Sequence, residues 1–246
     1  MTTASQEVLQ ELNLWPLWRL RSAGENKAGP ALPAVEAAVQ PFAPQDRAER
    51  ILGMDWDELK QSVSGCTACR LHESRTRTVF GVGDEKADWL FVGEGPGAEE
   101  DRQGEPFVGQ AGKLLDNMLA AIGLTRDKNV YIANTVKCRP PGNRNPEPDE
   151  MAACEPYLTQ QIALIKPKLV VALGKVAAQR LLGSDHSIAS LRGKLHQAHG
   201  TPLIVTYHPA YLLRNLPDKA KAWEDLCFAV RTMQSLQDST QAASIT

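Results

Sequence analysis

Four short apolar runs constrain this chain more than any other feature: "WLFV" (89–92), "VYIA" (130–133), "LVVAL" (169–173) and "LIVTY" (203–207). Each has the length and composition of a buried strand. Between them lie helical patterns, including "AGKLLDNMLAAIGL", "DEMAACEPYLTQQIALI" and "KVAAQRLL". Strand and helix alternating at this spacing predict an α/β fold, a parallel sheet with helices on both faces. In such sheets ligands bind beyond the carboxyl ends of the strands. The first run leads into Gly93-Glu94-Gly95-Pro96-Gly97, the second into Asn134, the third into Gly174 and the fourth into His208-Pro209. A carboxylate, an amide and an imidazole are therefore expected to converge on one edge.

The chain before and after these runs divides by composition. Residues 1–21 include a short amphipathic segment, "SQEVLQELNLWPLWRLR", and residues 22–46 thin into an Ala/Pro-rich stretch that suits a linker. The compact domain is expected over residues 47–237, opening with "RAERILGMDWDELKQSVSGC" as its first helical stretch and closing with the helix "KAKAWEDLCFAVRTMQSL". Residues 238–246 read as a polar tail. With 246 residues there is room for one sizeable domain and an appendage. The 27 basic and 29 acidic residues leave a net charge of −2, so no global basic field advertises nucleic acid, although a local basic groove is compatible with that total. No apolar run approaches the roughly 20 residues that span a bilayer, and the acidic N-terminus lacks the layout of a signal peptide. The expected compartment is the cytoplasm, where five cysteines serve as metal ligands or free thiols more readily than as disulfides.

The glycine loop after the first run matches neither familiar phosphate motif. Gly112-Lys113 is followed by Leu114 where a Walker sequence needs Ser or Thr, and Ala98 stands where the dinucleotide fingerprint needs its third glycine. Small residues here instead let backbone N–H groups approach a flat ligand. Taken singly, Glu94 reads as a loop-end carboxylate, His208 as a strand-end histidine and Asn134 as a turn former. Their shared place at strand ends is what points to function. The cysteines speak more strongly. "CTAC" supplies Cys66 and Cys69, and Cys138 and Cys154 follow on either side of "RPPGNRNPEPDEMAA". Four thiolates can hold zinc or an iron–sulfur cluster, and the spacing leaves both open. Cys227, within the apolar pattern "WEDLCFAV", reads as a free thiol.

These residues resemble the iron–sulfur family 4 uracil-DNA glycosylases. The matching pieces are "CTAC", "GEGPGAEEDRQGEPFVGQAGKLLD", "NTVKCRPPGNRNPEPDE", "ACEPYL", "LGKVAA" and "HPAYLLR", in the family's order across roughly residues 60 to 230. The resemblance implies a three-layer α/β/α sandwich around a four-stranded parallel sheet. It also implies a [4Fe–4S] cluster on Cys66, Cys69, Cys138 and Cys154, and uracil-containing DNA as substrate for a catalytic domain acting as a monomer. The target base must leave the stack before its glycosidic bond can be reached. Breaking that bond leaves positive charge on the sugar and negative charge on the departing base. By resemblance Glu94 faces the sugar, while His208 and the backbone of Gly93, Gly95 and Gly97 face the uracil oxygen. Phe107 offers a flat face for the flipped base, and Asn134 donates to one uracil edge atom and accepts from another. Leu212 and Leu213 are the candidates for wedging into the duplex, with Arg214, Arg139 and Arg144 near phosphates.

Better-known members of the wider superfamily carry Asp at the position of Gly95, so the carboxylate is displaced by one residue here. Glu94 then either activates water or only stabilises charge. No second inserted basic loop stands near residues 140–150, which argues against the relatives that trap uracil-DNA covalently. A competing reading starts from "LQELNLWPLWRLRSAG", which looks like the N-terminal tail of the clamp-loader psi subunit. On that reading the chain is a replisome accessory protein bound through residues 5–21, with catalysis secondary or lost. A tether and an active domain can also share one chain.

Overall fold

The computed structural model describes residues 44–243. In chain order the elements are α1 (Pro44–Leu52), α2 (Trp56–Ser64), α3 (Leu71–Ser74), β1 (Val82–Gly83), β2 (Trp89–Gly93), α4 (Ala98–Gln103), α5 (Gln110–Ala121) and β3 (Val130–Asn134). A 3-10 turn (Pro141–Asn143) precedes α6 (Pro148–Ile165), β4 (Leu169–Leu173), α7 (Lys175–Leu182), α8 (Ile188–Leu191), β5 (Leu195–Ala198), β6 (Thr201–Thr206), α9 (Pro209–Leu212) and α10 (Asp218–Ala243).

The sheet runs β1-β3-β2-β4-β6-β5. The four apolar runs form its parallel centre, with Gly93 of β2 in register with Asn134 of β3. Every residue of β2, β3 and β4 is buried, because helices cover both faces. The pleat sends Leu90 and Val92 toward Leu158 and Ile162 of α6 and Ala177 and Ala178 of α7. Trp89 and Phe91 face Leu115 and Leu119 of α5 and Ala229 and Met233 of α10. The architecture is the expected α/β/α sandwich. A separate apolar cluster packs Ile51, Leu59, Val63 and Leu71 of α1–α3 against Tyr157 of α6 and carries Cys138 and Cys154.

The sheet differs from the expected four strands. It has six among the described residues, and the two edge strands are antiparallel to their neighbours. β1 is two residues long, and β5 is the largely exposed "LHQA". The β5–β6 hairpin turns at His199 and Gly200, both with positive φ (50° and 77°), the backbone that a tight hairpin requires. The first helical stretch divides into α1 and α2. Asp55 starts α2 with a capping box: its side chain accepts from the Glu58 N–H, and the Glu58 carboxylate accepts from the Asp55 N–H. α1 is already formed at Pro44, ahead of Arg47, and α10 continues to Ala243 through the expected tail boundary at 237. No helix among the described residues is long and apolar enough to cross a membrane. The amphipathic segment of residues 1–21 and nearly all of the linker at 22–46 lie outside the described residues.

Candidate active site

The carboxyl ends of the central strands open into a cleft of about 720 Å³ lined by Glu94, Gly95, Gly97, Phe107, Asn134 and His208. Glu94 follows the last residue of β2, Asn134 ends β3, and His208 caps α9 just after β6. Gly93 lies beneath them. A Cβ there would stand 2.5 Å from both Asn134 Oδ1 and Phe107 Cζ, so only glycine lets the amide and the ring meet. The Phe107 and His208 rings lie 5.5 Å apart at 31°. The sequence setting "GEPFVGQ" suggests an exposed aromatic, but Phe107 is 5% exposed and forms the cleft wall.

Three groups in this cleft are chemically poised. Asn134 is 2% exposed, and its Oδ1 is buried with no hydrogen-bond partner. An unsatisfied buried acceptor costs on the order of 1–3 kcal/mol, so a ligand that donates to it relieves that cost. His208 Nδ1 accepts from the Ala210 N–H at 3.1 Å, which leaves the proton of the neutral ring on Nε2 as a donor. Burial pushes the His208 pKa down to about 4, Arg214 acts in the same direction, and Glu100 opposes them. Glu94 is shifted the other way, its pKa raised by burial. A carboxylate, a neutral imidazole N–H and an amide edge thus face one space beside a flat ring.

Of the remaining candidates, Arg214 lines the cleft. Leu213 is 42% exposed, whereas Leu212 is 1% exposed and packs with Met118, Ala222 and Leu226. Consecutive positions at the end of α9 point about 100° apart, so Leu212 packs into the core, against the expectation of a wedge, while Leu213 reaches the surface. Arg144 also reaches the cleft, but its guanidinium is held by both oxygens of Glu150 (2.8 and 2.6 Å), whose side chain is fully buried. It fixes its own loop first. Arg139 Nε donates to Asn143 Oδ1 at 2.7 Å.

Glu100, Tyr207 and Tyr211 are among the lining residues that the sequence reading did not single out. Glu100 Oε1 accepts from the N–H groups of Val108 and Gly109 at 3.0 Å each, joining α4 to the N-terminus of α5. Its place in the acidic run "AEED" directly after the glycine loop was the available signal. Tyr207 and Tyr211 stack at 5.1 Å and 14° along another wall, and nothing in "TYHPAY" distinguishes them from core aromatics.

Away from the cleft, Cys66, Cys69, Cys138 and Cys154 surround one small cavity together with Arg75 and Tyr157. Arg75 Nη1 donates to Cys138 Sγ at 3.1 Å, the Lys137 N–H to Cys154 Sγ at 3.2 Å, and Arg47 Nη2 lies 3.6 Å from Cys66 Sγ. Donors aimed at sulfur suit thiolates. As a free thiol Cys154 has its pKa pushed up to about 12 by burial, so a bound cation is what would ionise it. Among the described residues no group of three or more His, Cys, Asp and Glu side chains is arranged to hold a single metal ion.

The profile of the uracil DNA glycosylase superfamily matches residues 80–227, more than half of the chain. A type-4 uracil-DNA glycosylase of Archaeoglobus fulgidus is 45% identical over 165 residues, covering 64% of this chain and 82% of the relative. That of Thermotoga maritima is 48% identical over 159 residues, with the same coverage. That of Pyrobaculum aerophilum is 40% identical over 181 residues, covering 70% of this chain and 92% of the relative. With these matches and a cleft built from the strand ends, the chain belongs to the uracil-DNA glycosylase superfamily, in its type-4 family.

Proposed function

We propose that this protein removes uracil from DNA by hydrolysing the N-glycosidic bond. The observation that carries the reading is the buried, unpartnered Oδ1 of Asn134 beside the Phe107 ring. Uracil presents N3–H as a donor and O4 as an acceptor on one edge. Asn134 accepts the first and donates to the second, while cytosine presents the reverse pattern to an amide held this way. Phe107 stacks on the flipped base. When the bond between C1′ and N1 breaks, the electron pair leaves with the base and its O2 gains negative charge, which the Nε2–H of His208 meets. Glu94 stabilises the cation-like sugar and orients the water whose oxygen bonds to C1′, and the proton that this water loses ends on the departing uracil anion. Arg214 and the exposed Leu213 meet the DNA flanking the gap.

The four cysteines with their N–H and guanidinium donors fit a [4Fe–4S] cluster. When bound, the cluster would cross-link the four cysteine thiolates through its irons and tie the chain segments that carry them. Residues 5–21 are proposed as a tether to a replisome protein, and the cytoplasm as the compartment. The accessory-protein reading, with catalysis lost, gains no support from the relatives or the cleft. The deciding experiment is release of uracil from a labelled oligonucleotide by wild type beside Glu94→Ala. Release by wild type and loss by the variant are expected. No release from uracil-containing DNA by the folded wild-type protein sinks the reading.

A further inference from the structure

Phe107 holds a backbone conformation that an aromatic residue rarely adopts, with φ at +55°. Strain of this kind persists only where the surroundings over-determine it. Here they do so on every side. Arg126 donates from Nη1 to the Pro106 carbonyl at 2.9 Å and from Nη2 to the Phe107 carbonyl. Its Nε is tied to Asp116 on α5. Glu100 holds the next two N–H groups, those of Val108 and Gly109. α5 leans on the same peptide so closely that a Cβ on Gly112 would lie 1.7 Å from the Phe107 oxygen. Arg126 is not among the residues lining the cleft, so it grips the peptide from behind.

We infer that Arg126 is a positioning residue for the base-stacking ring. Its fork fixes two successive carbonyls and keeps the strained Phe107 peptide in the conformation that lays the ring beside Asn134. The inference rests on the reading of this cleft as a uracil site. The planar guanidinium is what the task requires, since an ammonium cannot span both carbonyls in a fixed geometry.

A double-mutant cycle on the full chain tests it, with single-turnover uracil excision and melting temperature measured for each variant. Phe107→Ala is expected to lower excision roughly ten- to a hundredfold, the range of base–aromatic stacking. Arg126→Ala is expected to cost roughly five- to tenfold in the wild-type background and under about twofold in the Phe107→Ala background, because it acts only through the ring. A merely structural role multiplies equally in both backgrounds, and that result overturns the inference. Arg126→Lys keeps the charge beside Asp116 and carries the cycle should the alanine variant not fold. It is expected to lose part of the rate, again only when Phe107 is present, and wild-type behaviour overturns the two-pronged grip. Wild-type excision by Phe107→Ala removes the stacking role itself. Loss for Phe107→Ala without loss for Arg126→Ala removes only the role of Arg126.

Discussion

Glu94 and His208 face one cleft, yet burial moves them in opposite directions on the pH scale, because loss of water penalises whichever form is charged. His208, with its pKa near 4, is a neutral donor throughout the physiological range. Glu94 must be ionised to stand beside a cation-like sugar, so excision is present above its raised pKa and lost as pH falls through it. The acid limb of single-turnover excision is therefore expected above the ordinary glutamate value. A limb centred at or below about 4 would assign it to His208 instead. Glu94→Gln is expected to abolish this limb and to lower the rate on the order of 10²-fold. The same shift has a sign for stability. The folded chain holds the Glu94 proton more tightly than the unfolded chain, so stability falls as pH rises from the ordinary to the raised value. At pH 7 Glu94→Gln should thus melt higher than wild type while excising less; a lower melting temperature contradicts the burial argument. Asn134→Asp replaces the amide donor with a second acceptor, and its uracil excision should drop because nothing then donates to O4. Equal rates for Asn134→Asp and wild type would take Asn134 out of recognition.

The segment from β3 to α6 joins recognition to the cysteine cavity. Lys137 lies between them, 1% exposed: its Nζ donates to the Asn134 carbonyl at 2.9 Å and to Gln161 Oε1 at 2.6 Å, and its N–H meets Cys154 Sγ. If the proposed cluster is present, wild-type protein should be yellow-brown with about four iron and four sulfide per chain, and Cys138→Ser or Cys154→Ser is expected to lose the colour and most of that iron and sulfide. Proteolysis should then open the loop at 139–147, while Cys227→Ser changes neither readout. Stoichiometric zinc in an iron-free, well-folded protein sinks the cluster. At this scale the central strands were legible because burial on both faces makes them continuously apolar. The edge strands were not, since β1 is two residues long and β5 presents most of its side chains to water. Glu94, Asn134 and His208 were legible for a topological reason: strand ends in such a sheet converge. Phe107 was legible as an aromatic but not as a buried one, because its place depends on a positive φ set by Arg126, nineteen positions away. Leu212 and Leu213 are neighbours in sequence, and only the turn of α9 decides that the first packs inward.

For the whole molecule, the compact domain expected from residue 47 sets where the chain can be cut, and α1 moves that boundary back to Pro44. Arg47 has to remain, since it donates to the Ala153 carbonyl at 2.9 Å, approaches Cys66 Sγ and lies over the Tyr157 ring. A truncation before Pro44 is therefore expected to leave excision and melting temperature nearly intact, whereas a cut within α1 should lower both. In the removed segment Val8, Leu9 and Leu12 fall on one face of a helical pattern, and Trp15, Leu17, Trp18 and Leu20 crowd the residues after it. That much apolar surface favours a docking partner over exposure to water. On random-coil scaling the proposed linker, which ends where α1 begins at Pro44, spans roughly 25 Å, further where prolines stiffen it. Such a reach raises the enzyme's effective concentration at a partner's DNA without altering catalysis. Trp15→Ala with Trp18→Ala should accordingly abolish co-purification with clamp-loader subunits while uracil excision stays at the wild-type level. If that double variant instead loses activity or melts lower, the segment packs on its own domain and the tether fails.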